Sequence, residues 1–255
     1  MKFVANAPAL QLGSVLIVAD LHLGIEYEFR KRGIAVGPQH LSAAAELNSL
    51  KKKTGAQHLV VLGDLKHDVA GMDSQEEEML REFFAALEFK KVIVCKGNHD
   101  SGLERLEGDC VHVVPAEGFV LDAENKRFGL CHGHAWPGEQ LFQANALIMG
   151  HNHPQVEFYD SLGSRTALPA WIVSEVHESE DPQIQFRGVR EGQQAIVVPA
   201  FGKLCGGASF NRRIPQDFIG PLLSNNLFEL DNAKAFTLQG TALGKISSLR
   251  SRARL

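Results

Sequence analysis

Val15-Leu16-Ile17-Val18-Ala19-Asp20-Leu21-His22 decides how this chain is read. Five apolar residues without polar alternation describe a short strand buried on both faces. The run stops at a carboxylate and an imidazole two residues apart. The same design recurs downstream. Leu59–Leu62 runs into Gly63-Asp64, and Val92–Lys96 into Gly97-Asn98-His99-Asp100. Phe128–Cys131 runs into His132-Gly133-His134, and Ala146–Met149 into Gly150-His151-Asn152-His153.

Helical segments lie between the first three runs. Pro38–Lys53 opens on a proline suited to a first helical turn and ends before Gly55, a C-cap. Asp73–Lys90 begins with Ser74 and Glu77 at capping-box spacing and sets Met79, Phe83 and Leu87 along one face. Alternating strand and helix is the pattern of a layered α/β domain. After Val111 the chain becomes richer in strands, with a turn at Asp122–Lys126 and further strands at Ala167–Ser174 and Gln194–Ala200. No linker, repeat or low-complexity tract divides it. The expectation is one α/β domain over 1–240, a two-sheet β-sandwich flanked by helices. A basic tail at 241–255 follows, carrying Lys245, Arg250, Arg252 and Arg254 and no acid.

Composition narrows the function. The 255 residues are 44% hydrophobic and 22% charged, which excludes global disorder. A formal charge of −4 leaves no global basic field, so nucleic acid would have to be met by a local patch. No apolar stretch approaches the ~18 residues that span a membrane, and MKFVANAPALQLG lacks a signal-peptide core. Cys95, Cys110, Cys131 and Cys205 form no CxxC pair, and two of them sit inside apolar runs. The expectation is a cytoplasmic protein in a reducing compartment, without a membrane partner. Nothing in the sequence speaks to oligomeric state.

In open α/β sheets ligands gather outside the carboxyl ends of the strands, so five polar strand ends would meet on one rim. Residues i and i+2 of extended backbone point to one side, which would aim Asp20 with His22 and His151 with His153. Glycines 63, 97, 133 and 150 give the backbone room to turn. Four of the 11 histidines fall between positions 132 and 153, and neutral imidazole is the commonest metal ligand. Oxygen and nitrogen donors without thiolate suit Mn²⁺, Fe or Zn²⁺ better than Mg²⁺. About seven candidate ligands exceed one tetrahedral ion; two ions sharing a carboxylate would use them all.

These residues resemble the five-part signature of the calcineurin-like metallophosphoesterase superfamily, DxH, GD, GNH(D/E), H and GHxH. They stand here in that order as DLH, GD, GNHD, HGH and GHNH. The resemblance implies a four-layer α-β-β-α fold with two divalent metal ions. Asp20, His22, Asp64 and His153 would hold one ion; Asp64, Asn98, His132 and His151 would hold the other. It further implies that His99 contacts the scissile phosphate or leaving group and that Asp100 orients His99. A closer similarity is to small ICC-like and DNA-ligase-associated metallophosphoesterases. It is carried by ADLHLG (19–24), GDLKH (63–67), GNHD and VPAFGKLCGG (198–207), over about the first four-fifths of the chain.

The implied activity is hydrolysis of a phosphate-ester substrate, with phosphodiesters (nucleotides or nucleic acid) as the leading class. A hydroxide held between ions ~3.5–4 Å apart would attack phosphorus in line. Mn²⁺ is the expected metal, with Fe or Zn²⁺ as alternatives. A phosphomonoesterase is the second reading, because surrounding loops choose the substrate. An inactive scaffold is the third, and no broken ligand position supports it.

Two positions depart from the family pattern. Lys66 and His67 follow the GD motif where many members carry Asp or Asn, and a solvated loop and a site role weigh about equally there. The fourth motif offers two histidines; His132 fits the pattern better than His134, which reads as a neighbour of the site. His40, His58, His112 and His177 read as ordinary structure. Arg30-Lys31-Arg32 reads as a solvated basic turn before a phosphate contact, and the tail as frayed or partner-packed before a nucleic-acid arm.

Overall fold

Successive side chains of the apolar runs enter two different cores. The computed structural model describes residues 1–178 and 189–252. In it Leu16 and Val18 face a core shared with helices, while Val15, Ile17 and Ala19 face a second sheet. Leu59 and Val61 against Val60 and Leu62 repeat the division. Both faces are apolar, so the pleat leaves no polar alternation in the sequence.

The first sheet runs in chain order, β1 (Lys2–Phe3), β2 (Leu10–Leu12), β3 (Val15–Val18), β4 (His58–Leu62), β5 (Lys91–Cys95) and β6 (Val111–Val114). Strands β3 to β6 are parallel, which puts three polar strand ends on one edge. The short helix α1 (Ile25–Lys31) follows β3, and α2 (His40–Thr54) and α3 (Ser74–Ala86) make the crossovers to β4 and β5. Met79, Leu80 and Phe83 of α3 and Ala44, Leu47 and Leu50 of α2 bury against the sheet.

The second sheet contains β7 (Phe119–Ala123), β8 (Lys126–Cys131), β9 (Ala146–Met149), β10 (Pro154–Tyr159), β11 (Arg165–Glu175), β12 (Gln194–Val197) and β13 (Ala208–Ser209). Their spatial order is β13-β10-β11-β12-β9-β8-β7, with β14 (Lys234–Thr237) also on β11 and β15 (Ala242–Lys245) on β14. Phe128, Leu130, Ala146, Ile148, Trp171 and Ile196 meet the first sheet. The opposite face takes Leu222 and Leu223 of α4 (Pro221–Ser224) and Ile246 and Leu249 of α5 (Ile246–Arg252). The layers are thus helix, sheet, sheet, helix, as the sequence leads one to expect.

Details differ from that expectation. The α3 cap is Asp73, not Ser74: its carboxylate accepts the Glu76 N–H at 2.8 Å. The helix stops at Ala86 rather than Lys90, because Asn48 of α2 binds the Ala86 carbonyl at 2.8 Å and the Glu88 N–H at 2.9 Å. Residues 242–252, set apart in the sequence by charge, add β15 and α5, and Arg250 pairs with Asp231. Arg254 and the side chain of Arg252 lie outside the described residues. In the Arg30–Arg32 turn, Arg30 stacks over Tyr27 and Lys31 pairs with Glu28 at 2.7 Å. Among the described residues no helix is long and apolar enough to cross a membrane.

Candidate metal centre

The strand ends are stitched together beyond the strands themselves. Asp20 donates its N–H to the Gly63 carbonyl at 3.0 Å, His22 to Asp64 at 2.9 Å and Leu23 to Leu65 at 2.8 Å. The β3–β4 pairing therefore continues through both polar loops. It does so with unusual backbone: Asp20, His22, Asp64, His151 and His153 all have positive φ, between 39° and 72°. This corrects the extended i, i+2 geometry expected from the sequence. The residues converge because each is bent into the left-handed region, at a cost of about 1–3 kcal/mol apiece that surrounding bonds must offset. Gly97 shows how tight the packing is, since a Cβ there would run into the Asp64 carboxylate and main-chain nitrogen.

Besides His22–His67–His99 and His22–His153–Cys205, two donor clusters share Asp64: Asp20–His22–Asp64–His153 and Asp64–His132–His151. In the first, His22 Nε2 lies 3.2 Å from His153 Nε2 and 3.6 Å from Asp64 Oδ2, and His153 Nε2 lies 3.5 Å from Asp20 Oδ1. In the second, His132 Nε2 lies 3.4 Å from Asp64 Oδ2, 3.1 Å from His151 Nδ1 and 3.3 Å from Asn98 Oδ1. Ligands bound at ~2.1 Å around a tetrahedral ion stand about 3.4 Å apart. The donor spacings match that in both halves, so these residues fit a pair of divalent cations. The same oxygen, Asp64 Oδ2, faces both, while Oδ1 accepts the His99 N–H at 3.0 Å.

Main-chain carbonyls fix the imidazoles. A carbonyl only accepts, so the ring nitrogen facing it carries the proton. His132 donates Nδ1–H to Leu62 at 2.8 Å and His153 donates Nδ1–H to Gly206 at 2.8 Å, which turns both Nε2 atoms inward. His99 donates Nδ1–H to the His67 carbonyl and sets its Nε2 3.9 Å from Asp64 Oδ2.

The charges oppose one another strongly. Burial pulls His132 down, but the Asp64 hydrogen bond and the Asp20 charge hold it up at about 9. Burial and the nearby His132 lower His151 to about 3, and burial lowers His22 to about 4. Burial would raise Asp64, yet His132 and His22 hold it well below the usual carboxylate range. Burial, with the charges of Asp20 and Asp64, pushes the Cys205 thiol up to about 12.

Of the residues singled out in the sequence, Asp20, His22, Asp64, Asn98, His132, His151 and His153 come together. His99 stands at their edge. Asp100 does not orient His99 as expected. Fully buried, it accepts the N–H groups of Leu65 at 2.9 Å, Lys66 at 3.3 Å and Gly97 at 2.8 Å, and so braces the two loops. The partner of the His99 ring is the carbonyl of His67. The His67 ring lies against His22, Nδ1 to Nδ1 at 3.3 Å, so this loop residue belongs to the site. Lys66 points away from it. Its ammonium is sealed beneath the loop on the carbonyls of Asp68 and Gly71 and on Glu76 at 3.2 Å. His134 sits beside His132, ring centres 5.1 Å apart, outside both clusters. Sequence reasoning gave Cys205 no role, yet its sulfur reaches the His22–His153 edge.

A groove of about 860 Å³ opens beside His99, lined by Tyr27, His67, Val69 and Met72. Another of about 320 Å³ opens beside His153, lined by Asn6, Gln155, Lys203 and Cys205.

A family model described as calcineurin-like phosphoesterase matches residues 13–188. No curated protein matches the chain. Among solved structures, Pseudomonas putida nuclease MPE is 21% identical with a TM-score of 0.50, over 89% of this chain and 85% of that one. The phosphoesterase YfcE from E. coli is 23% identical with a TM-score of 0.33, over 58% and 74%. The Zn²⁺ complex of wild-type Vps29 from Entamoeba histolytica is 18% identical with a TM-score of 0.32, over 76% and 79%.

Proposed function

The chain belongs to the calcineurin-like phosphoesterase family, and from that premise we propose that it is a two-metal phosphodiesterase acting on nucleotides or nucleic acid. One observation carries the reading: a single oxygen, Asp64 Oδ2, stands 3.6 Å from His22 Nε2 and 3.4 Å from His132 Nε2. A carboxylate placed so can join two cations, and Asp20, His22 and His153 on one side with Asn98, His132 and His151 on the other complete their ligands. Mn²⁺ suits this hard, nitrogen-containing set.

Bound there, two divalent ions supply an activated water and neutralise charge on the phosphoryl oxygens. The protein supplies position and a proton. The carbonyls of Leu62 and Gly206 hold His132 and His153 in one tautomer, so these ligands need no rearrangement. The His67 carbonyl holds the His99 ring through Nδ1–H; with Nε2 protonated as well, the imidazolium passes its Nε2 proton to the leaving oxygen and is left neutral, and such transfers contribute ~10²–10⁴-fold. Asp100 keeps Gly97 and the Leu65–Lys66 backbone in register around that ring.

The two grooves favour a diester. Phosphorus at the centre would carry one ester arm toward His99 and Tyr27 and the other toward His153 and Lys203. A monoester would fill only one. One solved neighbour is a nuclease, and free thiols suit a reducing cytoplasm.

The test is hydrolysis of a bis-aryl phosphodiester beside the matching aryl monoester, after chelator treatment and reloading with Mn²⁺. Faster metal-dependent diester turnover supports the reading. Preference for the monoester replaces it with a phosphatase.

A further inference from the structure

We propose that Cys205 is a further ligand of the ion held by His22 and His153, adding sulfur to the nitrogen and carboxylate donors of that half and suiting it to a softer cation, with Zn²⁺ as the class to expect. This deepens the two-ion reading and rests on it.

The geometry points to Cys205 from three directions. Its sulfur, His22 and His153 form a cluster whose ligand atoms all lie within 4.8 Å of one another. The two imidazole nitrogens are 3.2 Å apart, already the spacing of two ligands on one ion. With Zn–N near 2.05 Å and Zn–S near 2.3 Å, sulfur and nitrogen need a separation of about 3.6 Å. A movement of at most about one ångström at Sγ therefore closes the set.

The loop that carries the thiol is built onto the centre. Phe201 donates its N–H to the Ala19 carbonyl at 2.8 Å and Gly202 to Asp20 at 3.0 Å, which fastens the loop to the first motif. Gly206, the next residue after Cys205, supplies the carbonyl that orients His153. A side chain at Gly202 would strike both Cys205 Sγ and the Leu21 carbonyl. The sulfur now sits 3.8 Å from the Asp20 carbonyl, aimed at the same strand end. When the sulfur binds, the S–H bond breaks, its proton leaves to solvent, and the sulfur–metal bond replaces it.

The consequence is an asymmetric centre. The half around His132, His151 and Asn98 has no sulfur within its cluster and keeps hard and borderline donors. Thiolate favours Zn²⁺ over Mn²⁺. Of the other cysteines, Cys95 and Cys131 are buried inside strands and Cys110 is exposed.

Cobalt reports the difference directly. The full chain, stripped with chelator, is titrated with Co²⁺ and followed in the near ultraviolet and the visible. The expected result is a sulfur-to-cobalt charge-transfer band that Cys205→Ser and Cys205→Ala lose while keeping the visible cobalt bands, and that Cys110→Ser retains. Competition with a chromophoric chelator should show Zn²⁺ bound at least about tenfold more weakly by Cys205→Ser, with Mn²⁺ affinity changed less than about twofold. Circular dichroism checks that the variants fold. Visible cobalt bands without a charge-transfer band in the natural chain, or a band that survives in both Cys205 variants, overturn the proposal. Absence of any cobalt binding overturns the two-ion reading with it.

Discussion

Both carboxylate oxygens of Asp20 accept the main-chain N–H of His151, at 3.1 and 3.0 Å. The two residues are 131 positions apart and end strands of different sheets. This contact closes the sandwich at its rim and orients the Asp20 carboxylate beside the His151 main chain. It also supports the left-handed backbone at His151, whose N–H finds a buried anionic acceptor.

Replacing Asp20 with Ala removes that acceptor and a candidate ligand together. Stability should fall by about 1–3 kcal/mol, the cost of a buried unpaired donor. Asp20→Asn keeps an oxygen for the N–H and should recover most of the stability without recovering metal affinity. Thermal melts and metal titrations of the two variants separate the effects.

His99→Ala should lower kcat by about 10²–10⁴-fold while bound metal is largely retained, because His99 donates its ring N–H to a carbonyl and is absent from the two donor clusters that contain Asp64. Elemental analysis beside steady-state kinetics checks this. Native turnover in that variant would remove His99 from the mechanism.

Lys66 is buried beneath the loop that holds His99. Lys66→Met strands Glu76 and the carbonyls of Asp68 and Gly71 without a cation, which should cost about 3–5 kcal/mol. In the fraction that folds, kcat should fall more than metal content, since the His67 carbonyl shifts and the ligands do not. Denaturant unfolding and metal analysis read the two quantities.

Glu157 gives the fold a pH dependence away from the metal centre. Hydrogen bonds from Tyr159 and Ser209, then Arg165, lower its carboxyl to about 2, against an ordinary 4.5. The folded form therefore holds its proton less tightly than the unfolded chain. The stabilisation is complete above about pH 4.5 and disappears as the pH falls toward 2. Glu157→Gln should melt well below the natural chain at pH 7, by about 2 kcal/mol. The gap should close on acidification between those two values. A gap that stays constant down to the lower limit would contradict this assignment.

Much of the molecule was legible in the sequence because burial on both faces leaves a plain signature. The runs at Val15, Leu59, Val92, Phe128 and Ala146 could only be inner strands, and the polar residues closing them named the rim. What stayed hidden depends on contacts between distant segments. For Lys66 a solvated loop and a site role weigh equally in the sequence, since nothing local shows that Glu76 and two carbonyls will enclose it. Asp100 reads as a partner of its neighbour His99, whereas its acceptors are spent on backbone N–H groups brought in from the loop after β4 and from its own turn. Left-handed φ at five site residues has no sequence mark, because Asp and His adopt it in only a minority of positions and local sequence does not say which. The short edge strands β1 and β13 carry too few residues to show a period.

The sharing of Asp64 between two cation sites is the claim on which the rest depends. The direct measurement is the number of Mn²⁺ ions per chain, by elemental mass spectrometry, in stripped and reloaded natural protein and in Asp64→Ala. Two ions in the natural chain and fewer than one in the variant are expected, because removing Oδ2 takes a ligand from both clusters at once. A single ion in the natural chain, or two ions persisting in Asp64→Ala, would contradict it.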